Sequence, residues 1–165
     1  MRTLILLRHA KAVRAHEAES DEARALTGRG RHEAALAGAA IEDAGLKPDL
    51  ALVSTAQRAR ETAECGLRNF AFETRFEDAL YLAAPEGVWD AFVSTDSESV
   101  VIVGHNPGIG ELVSLLIHQA HDGSKLGREF SGHFPTAAFA AFEVKGDLMR
   151  AAGPRLLTAW KPERD

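Results

Sequence analysis

The sequence predicts an α/β protein whose mostly parallel sheet is covered by helices on both faces. Three observations carry that reading. Short apolar runs recur along the chain and alternate with longer helix-forming stretches, the pattern of strand–helix–strand units. The apolar runs at Thr3–Leu7 (TLILL) and Ser99–Val103 (SVVIV) are nearly continuous rather than alternating, as strands buried on both faces are. The chain has 165 residues, 45% of them apolar and 26% charged, which suits one domain over residues 1–165 with a core of its own.

Each element has its own signal. Thr3–Leu7 is the first strand, and the charged stretch Arg8–Leu26 reads as a loop. Thr27–Ala44 reads as a helix, with Thr27 as N-cap, Leu36, Ala40 and Ile41 on its apolar face and Gly45 as its stop. Leu50–Val53 is the second strand, and Ala56–Leu67, rich in Ala, Arg and Glu, a second helix. Asn69–Phe76 alternates as a half-exposed strand does. Pro85–Val93 is a short helix with Pro at its first position. The strand Ser99–Val103 leads into a helix over Asn106–Ile117, with Asn106 as N-cap and Pro107 following. Thr136–Val144 and Leu156–Trp160 are late strands.

Composition narrows the function classes. A single cysteine, Cys65, excludes an internal disulfide and a cysteine-based zinc cluster, and points to a reducing cytoplasm. The net charge of −5 argues against a nucleic-acid partner. No apolar stretch approaches the ~20 residues of a membrane span, and Arg8 and Lys11 follow Leu4–Leu7 too soon for a signal peptide. No membrane partner is expected.

Ligands of open α/β sheets sit beyond the carboxyl ends of the strands. The first strand ends in Arg8-His9-Ala10-Lys11. The second ends at Ser54 and leads to Arg58. The strand at Ser99–Val103 runs into Gly104-His105-Asn106-Pro107-Gly108. Three strands thus bring two arginines and two histidines to one rim, and clustered positive charge is costly without an anion. The set suits a phosphoryl dianion: arginine offers a planar fork of donors, and the helix opening at Asn106–Pro107 adds backbone N–H groups and a dipole.

These motifs resemble the histidine phosphatase superfamily, which includes the phosphoglycerate mutases. Leu7-Arg8-His9-Ala10 is similar to its N-terminal Arg-His motif, with Ala10 where most members have Gly. Ser54-Thr55-Ala56-Gln57-Arg58-Ala59-Arg60-Glu61-Thr62 is similar to its second-arginine segment, and Gly104-His105-Asn106-Pro107-Gly108 to its second-histidine motif. Asp21, Arg24, Leu26-Thr27, Gly30, Leu80-Tyr81 and Phe134-Pro135-Thr136-Ala137-Ala138 resemble the SixA-type phosphohistidine phosphatase branch. The resemblance implies a three-layer α/β/α sandwich of the phosphoglycerate mutase-like type.

It also implies a mechanism. His9 is the nucleophile of a covalent phosphohistidine intermediate, while Arg8, Arg58 and His105, with Asn106 in the binding set, hold the phosphoryl oxygens. These donors replace a metal clamp, so no metal or cofactor is expected. The general acid that many members place after the middle strand has Glu77 and Asp78 as its candidates here. The implied substrate is phosphohistidine on a protein, with a signalling role. The alternatives are a small phosphomonoester and, in another class, a phosphate- or phosphoprotein-binding module without catalysis. A monomer is expected.

Other signals read as structural. His118 and His121, with Asp122 beside them, lie near a helix end and have no further ligand in view. His133 reads as a loop residue, His16 and His32 as surface residues, and Cys65 as a small, partly buried side chain of a helix. The Lys11–Arg14 and Arg29–Arg31 clusters read as solvated charges, with Lys11 or Arg14 able to widen the positive field at the mouth.

Overall fold

β1 (Arg2–Arg8) sits near the middle of the sheet because both of its faces are apolar. Leu4 and Leu6 pack into the core on one face and Ile5 and Leu7 into the core on the other. The remaining strands are β2 (Leu50–Ser54), β3 (Glu73–Glu77), β4 (Ser99–Gly104), β5 (Phe139–Val144) and β6 (Arg155–Trp160). The six form one sheet in the order β3–β2–β4–β1–β5–β6. β3, β2, β4 and β1 run parallel, while β5 is antiparallel to β1 and β6 antiparallel to β5. The computed structural model describes residues 1–70, 72–145 and 153–164.

Helices α1 (Gly28–Asp43) and α2 (Gln57–Gly66) pair on the face of Ile5 and Leu7. Helices α3 (Pro85–Val93) and α4 (Gly108–Gln119) pair on the face of Leu4 and Leu6. The result is the expected three-layer α/β/α arrangement. A short helix that the sequence reading lacked, α5 (Lys125–Phe130), lies against α4 and β6. Ser124 caps it, accepting the Gly127 N–H at 3.1 Å. At about one and a half turns it is too short to show an apolar period.

Several expectations hold at the residue level. The Thr27 hydroxyl accepts the Gly30 N–H at 3.0 Å, and Gly45 ends α1 with φ 75°. The helix beginning at Pro85 starts and ends where the sequence places it.

Others shift. Leu36, assigned to the apolar face of α1, is exposed; the buried face is Gly30, Glu33, Ala34, Ala37, Gly38 and Ile41. The reason is close packing on α2. A Cβ at Gly38 would stand 1.7 Å from the Gly66 carbonyl oxygen, so the contact face needs small residues and a leucine must turn outward. The third strand is shorter than Asn69–Phe76, because only Glu73–Glu77 pairs with β2; Ala71 lies outside the described residues. Helix α4 begins at Gly108 rather than Asn106.

Among the described residues no helix is long and apolar enough to cross a membrane.

Candidate active site

The sheet order builds the site. β2, β4 and β1 are parallel neighbours, with Val53 and Leu7 both paired to Val103 and Arg8 paired to Gly104. Their carboxyl ends therefore lie side by side, which places Ser54, His105, Arg8 and His9 together. The His9 N–H extends the ladder to the Gly104 carbonyl at 2.9 Å. Helix α2 is tied to the same edge: the Ala10 N–H donates to Thr62 Oγ1 at 2.9 Å, and the Thr62 hydroxyl donates to the Arg58 carbonyl at 2.6 Å. A cavity of about 390 Å³ opens there, lined by Arg8, His9, Arg58 and His105 along with Asp21 and Thr136.

His9 is 8% exposed and its ring orientation is fixed. Nδ1–H donates to the Ala10 carbonyl at 2.8 Å, which leaves Nε2 with its lone pair. Burial, added to by the charges of His105, Arg58 and Arg8, lowers the His9 pKa to about 3, so the ring is neutral at physiological pH. Burial and the neighbouring Arg58 lower His105 likewise, to about 4. The two rings lie 5.2 Å apart between centroids.

His105 Nε2 lies 2.7 Å from Ser54 Oγ, which also accepts the Ala56 N–H at 3.3 Å. With Ser54 donating its hydroxyl proton to Nε2, a single group, Nδ1–H, is left over; the opposite tautomer strands both the hydroxyl proton and the Nδ1 lone pair. His105 thus carries its proton on Nδ1. That nitrogen, Arg8 Nε and Arg58 Nε are all buried without a partner among the described residues. The three belong to residues that line the cavity, and each is short of an acceptor.

Arg8 Nη1 donates to the Phe134 carbonyl at 3.1 Å. Arg58 is 3% exposed and held by one residue, Asp21: Nη1 donates to its carbonyl oxygen at 2.7 Å and Nη2 to its carboxylate at 3.0 Å. Asp21 also accepts from the Tyr81 hydroxyl and from Arg24 Nη1, the latter at 3.1 Å. The Tyr81 hydroxyl, with Arg58 and Arg24, holds the Asp21 carboxyl far below the usual carboxylate range. The same bond raises the Tyr81 phenol. Tyr81 meets the His105 ring edge-on at 5.5 Å.

The structure thus brings Arg8, His9, Arg58 and His105 together. Asn106 lines the cavity, but both ends of its amide are engaged: Nδ2 with the Phe134 carbonyl at 2.8 Å and Oδ1 with the Gly110 N–H at 3.0 Å. The amides of Ile109, Gly110 and Glu111, among those at the start of α4 expected to face an anion, are used within the fold. Ile109 N–H bonds the His105 carbonyl and Glu111 N–H the Pro107 carbonyl, each at 2.9 Å.

Glu77 and Asp78 do not reach this cavity. Glu77 lines a separate one near α3, and Asp78 is exposed in a single 3-10 turn. That segment delivers Tyr81 to the site instead. Asp21 is the only carboxylate lining the cavity among the described residues. Asp21, Arg24 and Tyr81 carry motif resemblance in the sequence, but their convergence with Arg58 is a tertiary fact. A larger cavity of about 680 Å³, between α2 and β3, holds neither a histidine nor a buried arginine; size does not mark the site.

A neutral, oriented histidine beside two arginines and a second histidine has the chemistry that phosphoryl transfer needs. Residues 4–81 match the histidine phosphatase superfamily (branch 1). The chain belongs to this superfamily and is a hydrolase of the phosphatase type. It is 31% identical to a structure from Agrobacterium tumefaciens assigned as phosphohistidine phosphatase SixA, over 98% of this chain and 99% of that one, with a TM-score of 0.81. A structure from Nakamurella multipartitia with the same assignment is 30% identical over 98% of this chain and 96% of its own, with a TM-score of 0.85. An uncharacterised protein of Mycobacterium tuberculosis is 33% identical over 143 residues, 85% of this chain and 88% of that one.

Proposed function

We propose that this chain hydrolyses phosphohistidine on a protein through a phosphorylated His9. The observation that carries the proposal is the His9 Nδ1–H bond to the Ala10 carbonyl in a buried, neutral ring, which leaves Nε2 as the free nucleophile. In the first step the Nε2 lone pair forms a bond to phosphorus while the bond from phosphorus to the leaving group breaks, its electron pair going to the leaving atom. In the second, water attacks phosphorus and the P–N bond breaks, returning the pair to Nε2. The proton that water loses passes to an oxygen of the phosphoryl group, and inorganic phosphate departs. Arg8, Arg58 and His105 Nδ1–H bind the phosphoryl oxygens and stabilise charge in both steps, the work a metal clamp does elsewhere.

The leaving group follows from the protons available. Asp21 is held ionised by Tyr81, Arg58 and Arg24, so it offers no proton to a departing alkoxide. A phosphohistidine protonated on its free ring nitrogen needs none, because it leaves as neutral imidazole. The phosphoramidate reading is therefore favoured over a small alkyl phosphomonoester. A cytoplasmic signalling partner accords with such a substrate.

The test is a rate comparison in excess chelator on a phosphohistidine protein, an aryl phosphate and an alkyl phosphate, with wild type and His9→Ala. The expected order is phosphohistidine, then aryl, then alkyl, with a trapped intermediate that is acid-labile and alkali-stable. Turnover that survives His9→Ala, or an intermediate stable to acid, defeats the mechanism. A preference for the alkyl ester defeats the substrate assignment. Binding of phosphate without turnover of any substrate makes the chain a binding module.

A further inference from the structure

Leu82 is an anomaly at the mouth of this cavity. It is 54% exposed, among the large apolar side chains most open to solvent. Its backbone has φ 51°, a left-handed conformation that disfavours side chains with a Cβ and is usually met by Gly or Asn. Both features are unfavourable, and neither is needed by the core.

The neighbours account for the backbone. Leu80 is buried in the core, and Tyr81 is held by Asp21 and the His105 ring. On the other side Ala83 is pressed against α4: a Cβ at Gly108 would stand 2.0 Å from the Ala83 carbonyl oxygen. The Ala83 N–H closes a turn on the Leu80 carbonyl at 3.3 Å. The chain is pinned before and after Leu82, so the strained conformation is over-determined. The pins explain the left-handed turn, but they do not explain a leucine at its apex.

The lining of the cavity supplies the reason. Apart from Leu82 and the small Ala12, every lining residue is polar or charged. The cations and His105 address the phosphoryl group. An exposed isobutyl group has nothing to offer a phosphoryl dianion, but it can cover the apolar surface of whatever the phosphoryl group is attached to.

We propose that Leu82 is a specificity-determining residue: it packs against the leaving group and selects phosphoryl donors whose leaving group presents an apolar or aromatic ring face. This rests on the phosphatase reading above and adds a residue and a selection rule to it.

The test uses the full chain and two donors with the same phosphoryl group. Phosphoramidate releases ammonia and has no apolar leaving group, whereas phosphoimidazole releases an imidazole ring. Leu82→Gly and Leu82→Asn both tolerate the left-handed backbone. Each is expected to lower kcat/KM for phosphoimidazole by about tenfold, the scale of one lost apolar contact, and to leave phosphoramidate within about twofold. Leu82→Met keeps apolar area and is expected to retain the wild-type preference. Unfolding midpoints of the Gly and Asn variants should equal or exceed wild type, because strain is relieved.

Equal losses on both donors, or no loss on either, overturn the role of Leu82 while leaving the His9 mechanism standing. Failure of the wild type to form an acid-labile phosphoenzyme with either donor removes the phosphatase reading, and the role of Leu82 falls with it.

Discussion

Acidification should leave the two active-site histidines uncharged long after ordinary histidines have ionised. At pH 5 a histidine with the ordinary pKa of 6.5 is about 97% protonated. His9, lowered to about 3 by burial and by the nearby positive groups, is then about 1% protonated. His105, lowered to about 4 by burial and Arg58, is about 9% protonated. His9 therefore keeps its Nε2 lone pair at pH 5. The assay is a nitrogen-15 NMR titration of the histidine rings from pH 8 to pH 4. His9 should show a proton on Nδ1 and a bare Nε2 throughout, and His105 a proton on Nδ1.

Stability provides a second readout with a fixed sign. Below pH 6.5 the unfolded chain takes up a proton at each of these histidines and the folded chain does not, so folding weakens as pH falls from 6.5 toward 4. The slope is at most about 1.4 kcal/mol per pH unit for each ring, measurable as a falling urea midpoint. A midpoint near 6.5 for either ring would refute the reasoning, because burial would then not be holding that ring neutral, and a proton on Nε2 of His9 would refute it because that nitrogen would have no lone pair to offer.

Three further substitutions probe the supports of the site and of the fold. Tyr81 is the only tyrosine in the sequence, so its ionisation can be read directly by ultraviolet absorbance. In wild type its hydrogen bond to Asp21 raises the phenol above the ordinary 10.0, and Asp21→Asn should bring the midpoint back toward that value. The same variant removes the ionic partner of Arg58 and should cost about 1 kcal/mol in urea unfolding, a modest figure because the Asp21 side chain is 43% exposed; an unmoved phenol midpoint would dissolve the proposed Asp21–Tyr81 link. Gly38→Ala places a methyl group against the Gly66 carbonyl and should destabilise the fold by about 2–3 kcal/mol, while Leu36→Ala on the exposed side of the same helix should change stability by less than about 0.5 kcal/mol.

Much of this protein is written locally. The strand at Thr3–Leu7 needs only its own apolar residues to demand burial on both faces, and Thr27 and Pro85 mark helix starts through contacts within a few residues. Arg8, His9, Arg58 and His105 were legible as one site because parallel strands put their carboxyl ends on a common edge, a consequence of topology that the strand–helix alternation announces. What escaped sequence reading depends on distances across the fold. Leu36 turned outward because Gly38 and Gly66, far apart in the chain, bring two helix backbones into contact. Glu77 and Asp78 looked placed for acid catalysis by chain position, yet the backbone carries them elsewhere and delivers Tyr81 in their stead.

The sequence by itself therefore determined the class of fold and which side chains the strand ends bring to one rim. Only the tertiary structure decided their state. The Ala10 carbonyl sets which nitrogen of His9 is free, Asp21 holds Arg58, and burial keeps both histidines neutral. Protonation and tautomer depend on solvent exclusion and on partners brought from distant segments, and these exist only once the chain has folded.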